Sequence, residues 1–81
     1  MTGRGVPAKD MTKGAQYFAE GAAKQDAFSM FQYARCLNEG IGVPKDESLA
    51  RKYFAEAATR GDTGAIATCN KLGIPFKSKT Q

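Results

Sequence analysis

An all-helical repeat fold is what this 81-residue chain predicts, and three observations predict it. The word Tyr17-Phe18-Ala19-Glu20 returns unchanged as Tyr53-Phe54-Ala55-Glu56, 36 positions later. Asp10 and Asp26 recur at the same shift as Asp46 and Asp62, and Gly3-Arg4-Gly5-Val6-Pro7 recurs as Gly40-Ile41-Gly42-Val43-Pro44 once one extra residue is allowed before Lys9-Asp10. Each aspartate is followed by apolar residues at helical spacing. Self-similarity at such a period marks stacked units that share a core with their neighbours.

Four helices follow, at about 11–24, 27–39, 47–60 and 63–72, each with an aspartate at its expected N-cap. There a carboxylate accepts from the first unpaired N–H groups and sees the positive end of the helix dipole. The 47–60 helix has Leu49, Ala50, Tyr53, Phe54, Ala57 and Ala58 on one stripe, and 11–24 repeats it with Gly14, Tyr17, Phe18, Gly21 and Ala22. Small residues one turn beyond each Tyr-Phe pair let a neighbouring backbone approach while the rings fill the space between helices. Only Gln25-Asp26 and Gly61-Asp62 separate the first two and last two helices, which forces the chain to reverse at once. The middle link, Gly40 to Lys45, has a glycine to close one helix in the left-handed conformation, a proline to block its continuation, and Val43 as an apolar plug. Gly73 and Pro75 end the last helix in the same way.

Length and composition exclude several classes of function. So short a chain builds one small core without room for a deep enzyme pocket. The net charge of +4 resides at the ends, in Arg4, Lys9, Lys77 and Lys79, while eight basic and eight acidic residues balance between Asp10 and Phe76. No basic stripe marks a helix face, which makes nucleic-acid binding through the ends the least favoured reading. No apolar run reaches the roughly 18 residues of a membrane span and no secretory h-region is present, so a cytoplasmic location is expected. Histidine is absent, Ser29, Ser48 and Ser78 have no evident base, and Gly40-x-Gly42 lacks the spacing of a phosphate loop. Cys36 and Cys69 lack zinc-ligand spacing and read as two buried thiols. Neither a catalytic set nor a metal or cofactor site is expected.

A helix ending in Leu37-x-x-Gly40-x-Gly42-Val43-Pro44-Lys45-Asp46, followed by Ala50-x-x-Tyr53-Phe54-x-x-Ala57-Ala58-x-x-Gly61-Asp62, resembles the Sel-one-like repeat, a relative of the tetratricopeptide repeat. The resemblance covers residues 3 to 73 and implies an α/α solenoid of stacked hairpins, here about one and a half to two repeats, serving as an adaptor in protein complexes. It divides the chain into a remnant of a preceding repeat loop at 1–10, a repeat domain at 11–75 and a basic flexible tail at 76–81. Tyr33 stands where the family has leucine and Leu37 where it has an aromatic residue, a compensating swap of volume; Gln25 stands where it has glycine.

On the 27–39 helix the repeat core is expected to take Ser29, Tyr33, Ala34 and Leu37. That leaves Phe28, Phe31, Gln32 and Arg35 at i, i+3, i+4 and i+7 on another face, with Thr68 and Lys71 extending it on the last helix. Two aromatics beside an arginine have the composition of interface centres, and in this repeat class the resemblance places that helix on the concave side. The expected function is a partner-protein adaptor using this face. The alternative is a small stoichiometric inhibitor, immunity or phage counter-defence protein that occludes an enzyme. So short a solenoid also exposes apolar ends, Met11, Tyr17 and Phe18 at one and Ile66 and Ile74 at the other, for a partner or a second copy to cover in a homodimer.

Overall fold

A computed structural model describes residues 8–77, except for the side chains of 8–10. The loop remnant up to residue 7 and the tail from residue 78 lie outside the described residues. Four helices form: α1 (Ala8–Ala23), α2 (Ala27–Glu39), α3 (Glu47–Thr59) and α4 (Thr63–Leu72). Each packs on its sequence neighbours, most extensively α2 on α3, which is the order of an α/α repeat solenoid.

Asp26, Asp46 and Asp62 cap their helices as expected. Their carboxylates accept from the backbone N–H of Ser29 at 2.9 Å, Leu49 at 3.1 Å and Ala65 at 2.8 Å. Asp26 also accepts from the Ser29 hydroxyl at 2.8 Å. This bond first, and the backbone bond second, hold its carboxyl below the ordinary carboxylate range, so the cap is ionised at neutral pH. Asp10 departs from the pattern, because α1 already begins at Ala8 and runs through it. Ala8 and Lys9 are both good helix formers, and nothing in that stretch obliges the helix to wait for a carboxylate.

Both tight turns have one geometry. Gln25 N–H donates to the Ala22 carbonyl at 2.9 Å and Asp26 N–H to that of Gly21 at 3.0 Å; Gly61 and Asp62 donate to Ala58 and Ala57 at 3.0 and 3.1 Å. The turn needs a left-handed residue, and Gln25 adopts φ 67° where Gly61 adopts 98°. Substitution of glycine at position 25 therefore leaves the turn intact at a conformational cost of about 1–2 kcal/mol. Arg60 Nη2 donates to Gln25 Oε1 at 3.1 Å, tying the two turns together across the stack.

The core consists largely of alanine. Ala34, Ala50, Ala57, Ala58 and Ala65 are fully buried, with Met30, Leu37 and Phe54 filling the larger spaces. Ser29, Ala34 and Leu37 are inward as expected, whereas Tyr33 is half-buried and meets Tyr53 edge to face at 5.3 Å. Val43 and Phe76 pack against the core from the turns. Volume is balanced pairwise between the two tight hairpins. Gly21 leaves room for Ser29, while Ala57 and Ala65 occupy the matching positions 36 residues on.

Ile74 corrects one expectation, being buried instead of exposed at the end of the stack. After left-handed Gly73 its N–H donates to the Cys69 carbonyl at 2.8 Å, as Ile41 N–H does to Cys36 at 2.9 Å. The shared motif is Cys-x-x-x-Gly-Ile, but α4 is one turn shorter than α2, so the same fold-back lands over the core. Ile66, expected at the same end, is half-buried against that core.

Gly42 links neighbouring units. It sits at φ 72°, and a Cβ there would overlap the Met11 carbonyl, so the α2–α3 turn lies directly on the α1 backbone. Gly42→Ala is expected to lower stability by about 2–4 kcal/mol, while Gln25→Gly raises it by about 0.5–1 kcal/mol. Thermal melts followed by circular dichroism check both, and equal melting temperatures for the two variants would refute this account of the turns.

Candidate functional site

A groove of about 210 Å³ opens between the exposed sides of α2 and α4, with α3 beneath it. Phe31 and Phe54 form its floor. Their rings lie 5.9 Å apart at 54°, and Gly64 on α4 leaves the space that the Phe31 ring fills. The aromatic at position 31 is thus held on three sides by helices, with one edge left to the groove. Arg35 on α2 and Lys71 on α4 stand exposed at the rim, and half-buried Thr68 contributes a hydroxyl.

Four of the six residues singled out in the sequence, Phe31, Arg35, Thr68 and Lys71, therefore line one concavity. Phe28 does not. It is 56% exposed and its ring turns toward Phe18 at 6.3 Å, on the α1 side of α2. Gln32 is half-buried outside the groove lining, its Oε1 accepting a long 3.5 Å bond from Arg35 Nη1. The i, i+3, i+4, i+7 face is wide enough for the curvature of the stack to split it, Phe28 going with the first hairpin and Phe31 with the second.

Asn38, Glu39 and Leu72 also line the groove and were missed by the sequence reading. The signal was one further helical turn, since Asn38 and Glu39 follow Arg35 at i+3 and i+4 and Leu72 follows Thr68 at i+4. Leu72 is 45% exposed and Glu39 faces solvent. The groove is thus apolar at its floor and at one lip, with two cations and one carboxylate around it. Among the described residues no group of three or more His, Cys, Asp or Glu could hold a metal ion, and no helix is long and apolar enough to cross a membrane.

The Sel1 repeat family model matches the chain twice, over residues 1–26 and 27–62. The second match is one unit of α2, the long turn and α3, ending at the Asp62 cap; the first takes in α1 and ends at the Asp26 cap. The tight turns are thus the junctions between repeats, and the Gly-x-Gly-Val-Pro turn lies inside a repeat. No solved structure matches the chain.

Both cysteines lie outside the groove lining, buried and unpaired, Cys69 completely. Burial pushes each thiol above its ordinary value. For Cys36 the Arg35 charge works against burial and the Glu39 charge with it. Both thiols are therefore protonated at neutral pH and poor nucleophiles. Ellman's reagent is expected to leave them unmodified in the folded chain and to modify both in denaturant; rapid modification of either in the native state would contradict the packing.

Proposed function

The chain belongs to the Sel1 repeat family, whose repeats are protein-interaction modules and non-catalytic, and we propose that it is a small adaptor that holds a segment of a partner protein in the α2–α4 groove. The observation that supports this most is the convergence of Phe31 and Arg35 from one repeat with Thr68 and Lys71 from the next. A concavity of about 210 Å³ holds one or two side chains, not a whole small-molecule substrate. The fit is an anchor side chain against the Phe31–Phe54 floor, with a carboxylate or carbonyl oxygens of the partner between the Arg35 and Lys71 cations. The remaining contact comes from the flat helical surface around the groove, where the cations set orientation more than affinity.

Arg35 and Lys71 are exposed and take no part in the core, so charge reversal there separates binding from folding. Affinity capture from the native cell with the wild-type chain and with Arg35→Glu/Lys71→Glu is expected to show at least about a tenfold loss of the principal partner in the variant, as removal of charge-assisted contacts implies. The melting temperatures of the two proteins are expected to agree. Equal capture by both would remove the groove as the site. Assay of a captured enzyme, with and without the chain, separates an adaptor from an occluding inhibitor, because only the latter suppresses turnover.

A further inference from the structure

The fold leaves the polar groups around the α2–α4 groove without partners. Among the described residues the ion pair is Lys45–Glu47 at 3.3 Å, so Arg35, Lys71 and Glu39 are all unpaired charges, and Arg35 has only its long 3.5 Å bond to Gln32. The Asn38 amide and the Thr68 hydroxyl, both half-buried in the groove wall, make no side-chain hydrogen bond among the described residues. The two cations are also related. Arg35 and Lys71 are 36 positions apart, the repeat shift, so one repeat position is presented twice, from α2 and from α4, with the Phe31–Phe54 floor below.

Given the groove as the site that holds the partner, we propose that the segment it takes is an extended strand of the pattern acidic-x-apolar-x-acidic, with its main chain bonded by Asn38 and Thr68. In an extended chain the side chains at i, i+2 and i+4 share one face and span about 13 Å, enough to bridge cations on two helices whose axes lie about 8–10 Å or more apart. The central side chain then rests on the Phe31–Phe54 floor, and one carboxylate turns to each cation. A helical segment fits less well. Its main-chain groups are paired internally and would bury Asn38 and Thr68 without partners, whereas an extended segment offers free N–H and C=O groups to an amide that both donates and accepts. Glu39, one turn beyond Arg35, repels carboxylates from its end of the groove and keeps them at the two cations. A second copy of the chain does not supply the pattern, because no two of its eight acidic residues are four positions apart. The segment belongs to another protein.

The test is titration of the nitrogen-15-labelled full chain with the end-capped peptide Ser-Glu-Ser-Leu-Ser-Glu-Ser, followed by amide chemical shifts. Saturable 1:1 binding is expected with a Kd of about 0.1–1 mM, with the shifts centred on the groove. The same residues reordered as Ser-Glu-Glu-Leu-Ser-Ser-Ser are expected to bind at least about fivefold more weakly, since only one carboxylate then reaches a cation on the shared face. Lys71→Glu is expected to weaken the first peptide at least about tenfold, and exchange of one of its two glutamates for lysine to restore the affinity, at one end of the peptide only. Asn38→Leu keeps the apolar contact and loses the amide, and is expected to cost about fivefold with an unchanged thermal melt. Absence of saturable binding, equal binding of the two orders, or indifference to Asn38→Leu overturns the proposal. If these fail while Arg35→Glu/Lys71→Glu still loses the captured partner, the groove remains the adaptor's site and its occupant is not an extended acidic segment. Indifference of the captured partner to those charges removes the groove as the site, whatever the peptide does.

Discussion

Among the described residues, each reversal of the chain depends on an aspartate that is bonded in both directions. Asp26, Asp46 and Asp62 each donate their backbone N–H to a carbonyl of the helix just finished, those of Gly21, Leu37 and Ala57 at 3.0, 2.8 and 3.1 Å. With the carboxylate each accepts from the third residue of the helix about to begin. One residue thereby satisfies an orphan acceptor of one helix and an orphan donor of the next, and fixes the direction in which the second leaves the first. The connection holds whether the loop is two residues or six. An alanine at such a position keeps the backbone bond and loses the cap, whereas a proline loses the backbone bond.

With the exit directions fixed, the rest is a matter of how closely helices approach. Buried alanines draw the axes together, and Gly42 brings the long turn onto the α1 backbone. Each contact is between sequence neighbours or adjacent repeats, so stability accumulates locally and no single residue holds the whole stack. An alanine core of this kind removes little apolar area per residue, and the net margin of so small a domain is narrow. Rings meet at the seams between helices: Phe54 against Phe31, Tyr53 against Tyr33, Phe18 against Phe28.

Much of the fold was legible because the signals that specify it are short and local. Three aspartate caps, two left-handed glycines after α2 and α4, and the Tyr-Phe stripe all act within one or two turns of themselves. Asp10 misled because a cap residue is only a permission to start, and Ala8-Lys9 start earlier without it. Ile74 was expected at an open end because so short a solenoid leaves its ends uncovered, whereas the closing motif Cys-x-x-x-Gly-Ile repeats at 33, not 36, and the turn missing from α4 folds Ile74 onto the core. The site was legible in part. Helical spacing places Phe28, Phe31, Gln32 and Arg35 on one face of one helix, but which of them meets α4 depends on the angle between repeats. That angle is set by the fit of the Phe31 ring over Gly64, a contact between residues 33 positions apart that no periodicity on either helix encodes.

The half-buried rings explain how so small a module can both fold and bind. A fully buried aromatic adds to the core but is lost to recognition; a fully exposed one has nothing to orient it. Phe31 lies between these cases, its face held by Phe54 and its ring seated over Gly64, so a partner meets an edge already fixed in position. Tyr17 is the exposed case, 70% accessible and in ring contact with its own neighbour Phe18. The two aromatics of the repeated word therefore differ between copies: Phe54 is buried and Tyr53 half-buried in α3, whereas Phe18 is half-buried and Tyr17 exposed in α1. The copies also differ in the small residues around the word, Gly14 and Gly21 in α1 against the fully buried Ala50 and Ala57 in α3, so the repeated aromatics fix the pattern while their neighbours set how closely each is packed.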